Sequence, residues 1–86
     1  MKEYEKILKA LANRRRLQIV KYLKNNKFAT VTNIVSHIKL SYKSTSKHLA
    51  VLHGAGLVDK EQKNLYMFYF IVKPLPKIAK QIIDII

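Results

Sequence analysis

Eighty-six residues, 49% of them apolar, make one small domain able to bury a core of its own. The chain has no cysteine, which removes disulfides, thiolate nucleophiles and cysteine-ligated zinc together. Seventeen Lys and Arg face five Asp and Glu, for a formal charge of +12, and those acids (Glu3, Glu5, Asp59, Glu61, Asp84) lie towards the two ends. From Lys6 to Val58 there are eleven Lys or Arg and no acid at all. Such a stretch has few internal ion pairs and projects a field of one sign, which suits a nucleic acid better than a membrane surface. No signal-peptide pattern opens the chain, because Lys2, Glu3, Glu5, Lys6 and Lys9 interrupt every early apolar run. The C-terminal apolar segment, 75–86, is far short of the roughly 20 residues of a membrane span. The expectation is a soluble, cytoplasmic protein.

Tyr4, Ile7, Leu8 and Leu11 recur at the i, i+3, i+4, i+7 spacing of an amphipathic helix over 2–12. Asn13 is placed to cap a second helix, RRRLQIVKYLK, whose stripe is Leu17, Ile19, Val20 and Leu23. Asn25-Asn26-Lys27 ends it, and Phe28-Ala29-Thr30 reads as a short extended piece. A third helix carries Val31, Ile34, Val35 and Ile38 inward, with Thr30 or Thr32 as its cap. After a tight break at Leu40-Ser41, Ser41 caps a helix over 42–53. At about 100° per residue, Thr45, His48, Leu49 and Leu52 share one arc, and Lys43, Ser46, Lys47 and Ala50 lie opposite. Gly54 and Gly56 stop that helix.

Beyond the glycines the period changes. Residues 57–61 and 65–72 read as two strands, joined by a turn at Gln62-Lys63-Asn64. Lys73-Pro74 and Pro76 break the sheet, and a last helix over 75–86 carries Leu75, Ile78, Ala79, Ile82, Ile83 and Ile86 on one stripe, Ile85 at its margin. The fold expected is mainly α with a β-hairpin, in the order α-α-α-α-β-β-α: a single winged helix-turn-helix domain over 1–86. The second helix of the pair then enters the major groove, its greasy side against the domain and its small, cationic side towards DNA.

The stretches LKALANRRRLQIVKYL, LSYKSTSKHLAVLHGAGLV and KNLYMFYF resemble the ArsR/SmtB family of winged-helix repressors. That family shows a Leu-x-x-Leu-Ala-x-x-x-Arg-Leu-x-Ile start and a Ser-(Lys/Arg)-His-Leu-x-x-Leu helix running into Ala-Gly-Leu-Val. Ser46, Lys47, His48, Leu49, Leu52, Ala55, Gly56, Leu57 and Val58 match the second pattern, and Arg16 and Leu17 the first. The resemblance implies a homodimer held by the first and last helices, a transcriptional repressor, and a structural role for Arg16. It does not extend to the family's metal sites: TVTNIVSHI has no cysteine cluster, and LPKIAKQIIDII offers only Asp84. Asn64 also stands where the family usually has a wing glycine.

The residues expected to meet double-stranded DNA are Tyr42, Lys43, Ser44, Ser46, Lys47 and His48 on the recognition helix. Lys60 and Lys63 on the wing, and Arg14 and Arg15 at the start of the second helix, are expected to meet its backbone. His48 is expected between its helix and the base of the wing, bonded to phosphate or backbone. Tyr4, Ile7, Leu8, Leu11, Ile78, Ile82, Ile83 and Ile86 are expected to form the dimer interface, since the apolar surplus of 2–12 and 75–86 exceeds what so small a core covers. No metal or other cofactor is expected: His48 and His53 are five apart and do not share a helix face. Catalysis is not expected either, with no paired carboxylates and no phosphate-cradling glycine loop. Two other readings share this pattern, a sequence-tolerant architectural DNA-binding protein and a winged helix used for protein–protein contact.

Overall fold

The stripes of four helices converge on one centre, and that convergence sets the architecture. A computed structural model, describing residues 1–86, contains α1 (Lys2–Leu11), α2 (Arg14–Asn26), α3 (Val31–Ile38), α4 (Tyr42–Gly54), β1 (Val58–Lys63), β2 (Tyr66–Ile71) and α5 (Lys77–Ile85). Helix α2 is the hub, packing against α1, α3, α4, α5 and β2. Its Ile19, Val20 and Leu23 are fully buried with Ile34 of α3, Leu49 and Leu52 of α4, and Leu57 and Val58 at the foot of the hairpin. Each such side chain contributes roughly 1.5–3 kcal/mol through apolar burial alone. No helix is long and apolar enough to cross a membrane.

Side-chain caps fix where the central helices begin. Asn13 Oδ1 accepts from the Arg16 N–H at 3.1 Å, and Ser41 Oγ from the Ser44 N–H at 3.1 Å. Thr30, rather than Thr32, caps α3, and Asn33 returns the bond to the Thr30 N–H, closing a reciprocal capping box. Lys39 ends α3 in the left-handed region (φ 55), which turns the chain sharply enough for α4 to cross α3. At the far end of α4, Gly56 takes φ 76, and the Leu57 N–H bonds back to the Leu52 carbonyl at 3.1 Å.

Two boundaries differ from the sequence reading. The hairpin is longer and its loop shorter: Lys63 pairs with Tyr66, so Gln62 and Lys63 belong to β1 and only Asn64 and Leu65 turn. Asn64 alone there adopts positive φ (56), as its small polar side chain allows, and Leu65 stands 91% exposed at the tip. Helix α5 begins at Lys77 rather than at Leu75, because a residue before proline is driven out of the helical region, and Pro76 follows Leu75. The short extended piece is real: Ala29 pairs with Tyr69 by two backbone bonds, 3.0 and 2.8 Å, joining the entry to α3 to β2.

Candidate nucleic-acid interface

Helix α4 separates its two jobs by angle. Thr45, Leu49 and Leu52 are fully buried against α2 and α3, while Lys43, Lys47 and Ala50 face solvent. Tyr42, in the first turn, is 62% exposed. Ser44 is half-buried, and so is Ser46, which the helical wheel had placed among the fully outward residues. The chain forms two ion pairs, Lys9–Glu5 and Lys80–Asp84, and a His53–Asp59 contact, and none of them uses a lysine of α4. Both recognition-helix lysines therefore stand uncompensated, as the acid-free sequence from Lys6 to Val58 requires.

The three consecutive arginines, which sequence proximity makes one cluster, are split by the fold. Arg14 is exposed and engages no group of the chain. Arg15 is half-buried and donates from Nη1 to the Ile38 carbonyl at 2.6 Å and to Gln18 Oε1 at 3.3 Å, closing the C-terminal end of α3. That commitment leaves its guanidinium less free to clamp phosphate than the sequence reading assumed. Arg16 turns the other way, donating from Nε to the Ala10 carbonyl at 2.6 Å and from Nη2 to the Lys9 carbonyl at 3.3 Å, the end of α1. Last-turn carbonyls lack partners within their own helix, and a guanidinium meets both their lone pairs and the negative end of the dipole.

Arg16 also places Nη1 3.2 Å from Nδ1 of His48. The ring of His48 thus faces the α1–α2 junction through Nδ1, where the sequence had suggested the base of the wing, and its Nε2 takes no partner within the chain. Burial first, then the charges of Arg16 and Arg15, hold the imidazole below its ordinary value near 6.5. The ring is accordingly neutral at neutral pH.

The wing lysines also separate. Side chains alternate along β1, so Lys60 and Lys63 project from opposite faces of the hairpin and do not address one surface together. Lys63 Nζ lies 5.5 Å from the centre of the Phe28 ring, which meets Phe70 edge-on at 5.7 Å. The other two histidines have separate neighbours: His37 stacks on Tyr22 at 4.5 Å, and His53 Nε2 lies 3.4 Å from Asp59 Oδ1. No group of three or more His, Cys, Asp or Glu side chains is assembled anywhere in the chain.

The residues expected at a dimer interface differ in exposure within the protomer. Ile7, Leu11 and Ile83 are buried in the protomer's own core, where α1 meets α5 and α2. Tyr4 and Leu8 remain 50% and 44% exposed, Ile78, Ile82 and Ile86 are half-buried, and Ile85, placed at the margin of its stripe, is 82% exposed. Contacts the sequence reading missed include Lys24, whose Nζ donates at 3.1 Å to each of the Ile83 and Asp84 carbonyls and ties α5 to α2. No local signal marks a contact between residues 59 and 60 apart in the chain.

An exposed cationic helix, seated by its apolar side on a tri-helical core and followed by a hairpin, defines a winged helix-turn-helix DNA-binding protein. Residues 13–60 match the family model described as bacterial regulatory protein, arsR family. The chain is 33% identical, over 98% of its length and 98% of the other's, to an HTH-type transcriptional regulator of Methanocaldococcus jannaschii. It superposes on HlyU of Vibrio cholerae with a TM-score of 0.84 at 34% identity, covering 96% of this chain and 86% of that one. A homodimeric winged helix-turn-helix DNA-binding domain from Mycobacterium bovis, a possible ArsR-family regulator, gives 0.83 at 25% identity, covering 98% and 74%. The chain belongs to the arsR family of bacterial regulatory proteins, and it is a DNA-binding transcriptional regulator.

Proposed function

We propose that the protein works as a homodimeric repressor that reads a two-fold symmetric DNA site with α4 of each protomer and occludes a promoter by occupying it. The observation that carries this is the outer face of α4: Lys43 and Lys47 exposed and unpaired, with Tyr42 and Ser46 beside them, over a side locked into the core by Leu49 and Leu52. Lysines there neutralise phosphate or donate to guanine, Tyr42 and Ser46 supply contacts to base edges or sugar, and Ser44 and Arg14 support the backbone. The wing lysines Lys60 and Lys63, which project from opposite faces of the hairpin, supply further contacts to the backbone. The dimer is supported by apolar surface left on α1 and α5 at Tyr4, Leu8, Ile82 and Ile85, and by the homodimeric M. bovis domain with the same fold. Metal does not enter this reading, because the family's cysteine, aspartate and histidine ligand patterns have no counterpart here. The test is selection of bound duplexes from fragmented source DNA at physiological salt. A recovered palindrome, with half-sites about 34–36 Å apart, is the expected result. Recovery without a common motif favours architectural binding, and recovery of nothing favours a protein partner.

A further inference from the structure

Arginine has donors and no acceptor, so the nitrogen of His48 facing Arg16 Nη1 at 3.2 Å must accept. That nitrogen is Nδ1, and a neutral imidazole with Nδ1 unprotonated carries its hydrogen on Nε2. The guanidinium imposing this choice is itself immobilised, because Nε and Nη2 are bound to the Ala10 and Lys9 carbonyls. No hydrogen bond within the chain engages Nε2 of His48, and the side chain is half-buried at the border between the packed and exposed sides of α4. Lys47 precedes it on the exposed side, and Ser44 lies one turn earlier.

We propose that Arg16 is a positioning residue that fixes His48 in its Nε2–H tautomer, so that α4 presents to a DNA phosphate oxygen a neutral donor of defined direction. Phosphate rather than a base edge is the acceptor, since a residue at the flank of a groove-seated helix meets the backbone while its outermost residues meet the bases. This rests on the α4 assignment made above. The contact differs from a lysine's in one measurable respect: a neutral donor displaces no condensed cation, so it adds affinity without adding to the salt dependence. Because Arg16 grips the end of α1, the same guanidinium ties the direction of that donor to the first helix.

The test uses the full chain and the duplex recovered by selection. Long-range proton–nitrogen spectra of the imidazole should show Nδ1 unprotonated and Nε2 protonated. His48→Gln, which places an amide N–H near Nε2, should bind within about threefold of the unsubstituted protein; His48→Asn, whose amide reaches only the Nδ1 position, should lose about tenfold per protomer, with an unchanged salt slope. An Nδ1-protonated ring overturns the role of Arg16, and full affinity in His48→Asn overturns the phosphate contact. If H48N does not fold, the Nε2–H resonance of the unsubstituted protein decides instead: it shifts on adding duplex when the contact forms and stays in place when it does not. A protein that binds no duplex, yet shows the Nε2–H tautomer, shows that the α4 assignment failed first.

Discussion

Replacing Lys43 and Lys47 together by alanine isolates what the recognition helix contributes. Both side chains are exposed and unpaired, so the fold should change by no more than about 0.5 kcal/mol, and alanine's helix propensity favours the substitution. If each ammonium neutralises one phosphate in both half-sites, four contacts are lost. The slope of log affinity on log salt then shrinks by about 3.6 units, at about 0.9 per phosphate. Counted from a 1 M reference, that slope corresponds to a loss of about a thousandfold near 0.15 M salt. If the lysines read bases instead, the slope changes little while preference for the selected site over scrambled duplex falls by about 1–3 kcal/mol per base contact. Anisotropy titrations between about 50 and 200 mM salt separate the two cases. Unchanged affinity, slope and preference in a folded double variant would refute the placement of α4 in the groove.

Leu8→Glu puts a charge on the exposed part of α1 while sparing its buried Ile7 and Leu11, so sedimentation should show folded monomers where the parent is dimeric; a persistent dimer moves the interface elsewhere. Thr45 Oγ1 is fully buried with no hydrogen-bond partner, so Thr45→Val removes an unsatisfied polar atom at constant shape and should stabilise by about 1 kcal/mol. In a domain of this size that raises Tm by roughly 4–8 °C, and a lower Tm in calorimetry would reveal a partner for the hydroxyl. Stability should also fall on acidification. His48 is held below 6.5 when folded, so as pH drops through 6.5 towards the folded value the unfolded chain takes up a proton that the folded chain refuses. Its contribution is thus complete above 6.5 and lost below it. His48→Gln, which leaves His37 and His53 in place, should flatten that part of the pH–Tm curve relative to the unsubstituted protein.

Much of this was written locally. Helical periodicity needs only neighbours three and four residues away, so the stripes of α1 to α4 and the period change into the hairpin were visible without a fold. Asn13 and Ser41 acted as caps where the sequence placed them, because a cap is satisfied within three residues of itself. Lys43 and Lys47 were assigned to the exposed side of α4 by angle alone, and they lie there.

The sequence by itself determined the element order, the apolar and cationic faces of α4 and the field of one sign, since each follows from residue type and short-range spacing. The tertiary structure decided which apolar residues are spent internally. Ile7, Leu11 and Ile83 face the same core only because α1 and α5 meet there, whereas Leu8 and Ile85 are left outside. It also divided three adjacent arginines among three destinies, because successive helical residues point about 100° apart: Arg14 meets solvent, Arg15 the end of α3, and Arg16 the end of α1 and His48. The proton on His48 was the least legible feature, since it depends on Arg16, 32 residues earlier, whose donors reach the ring only after α1, α2 and α4 have packed.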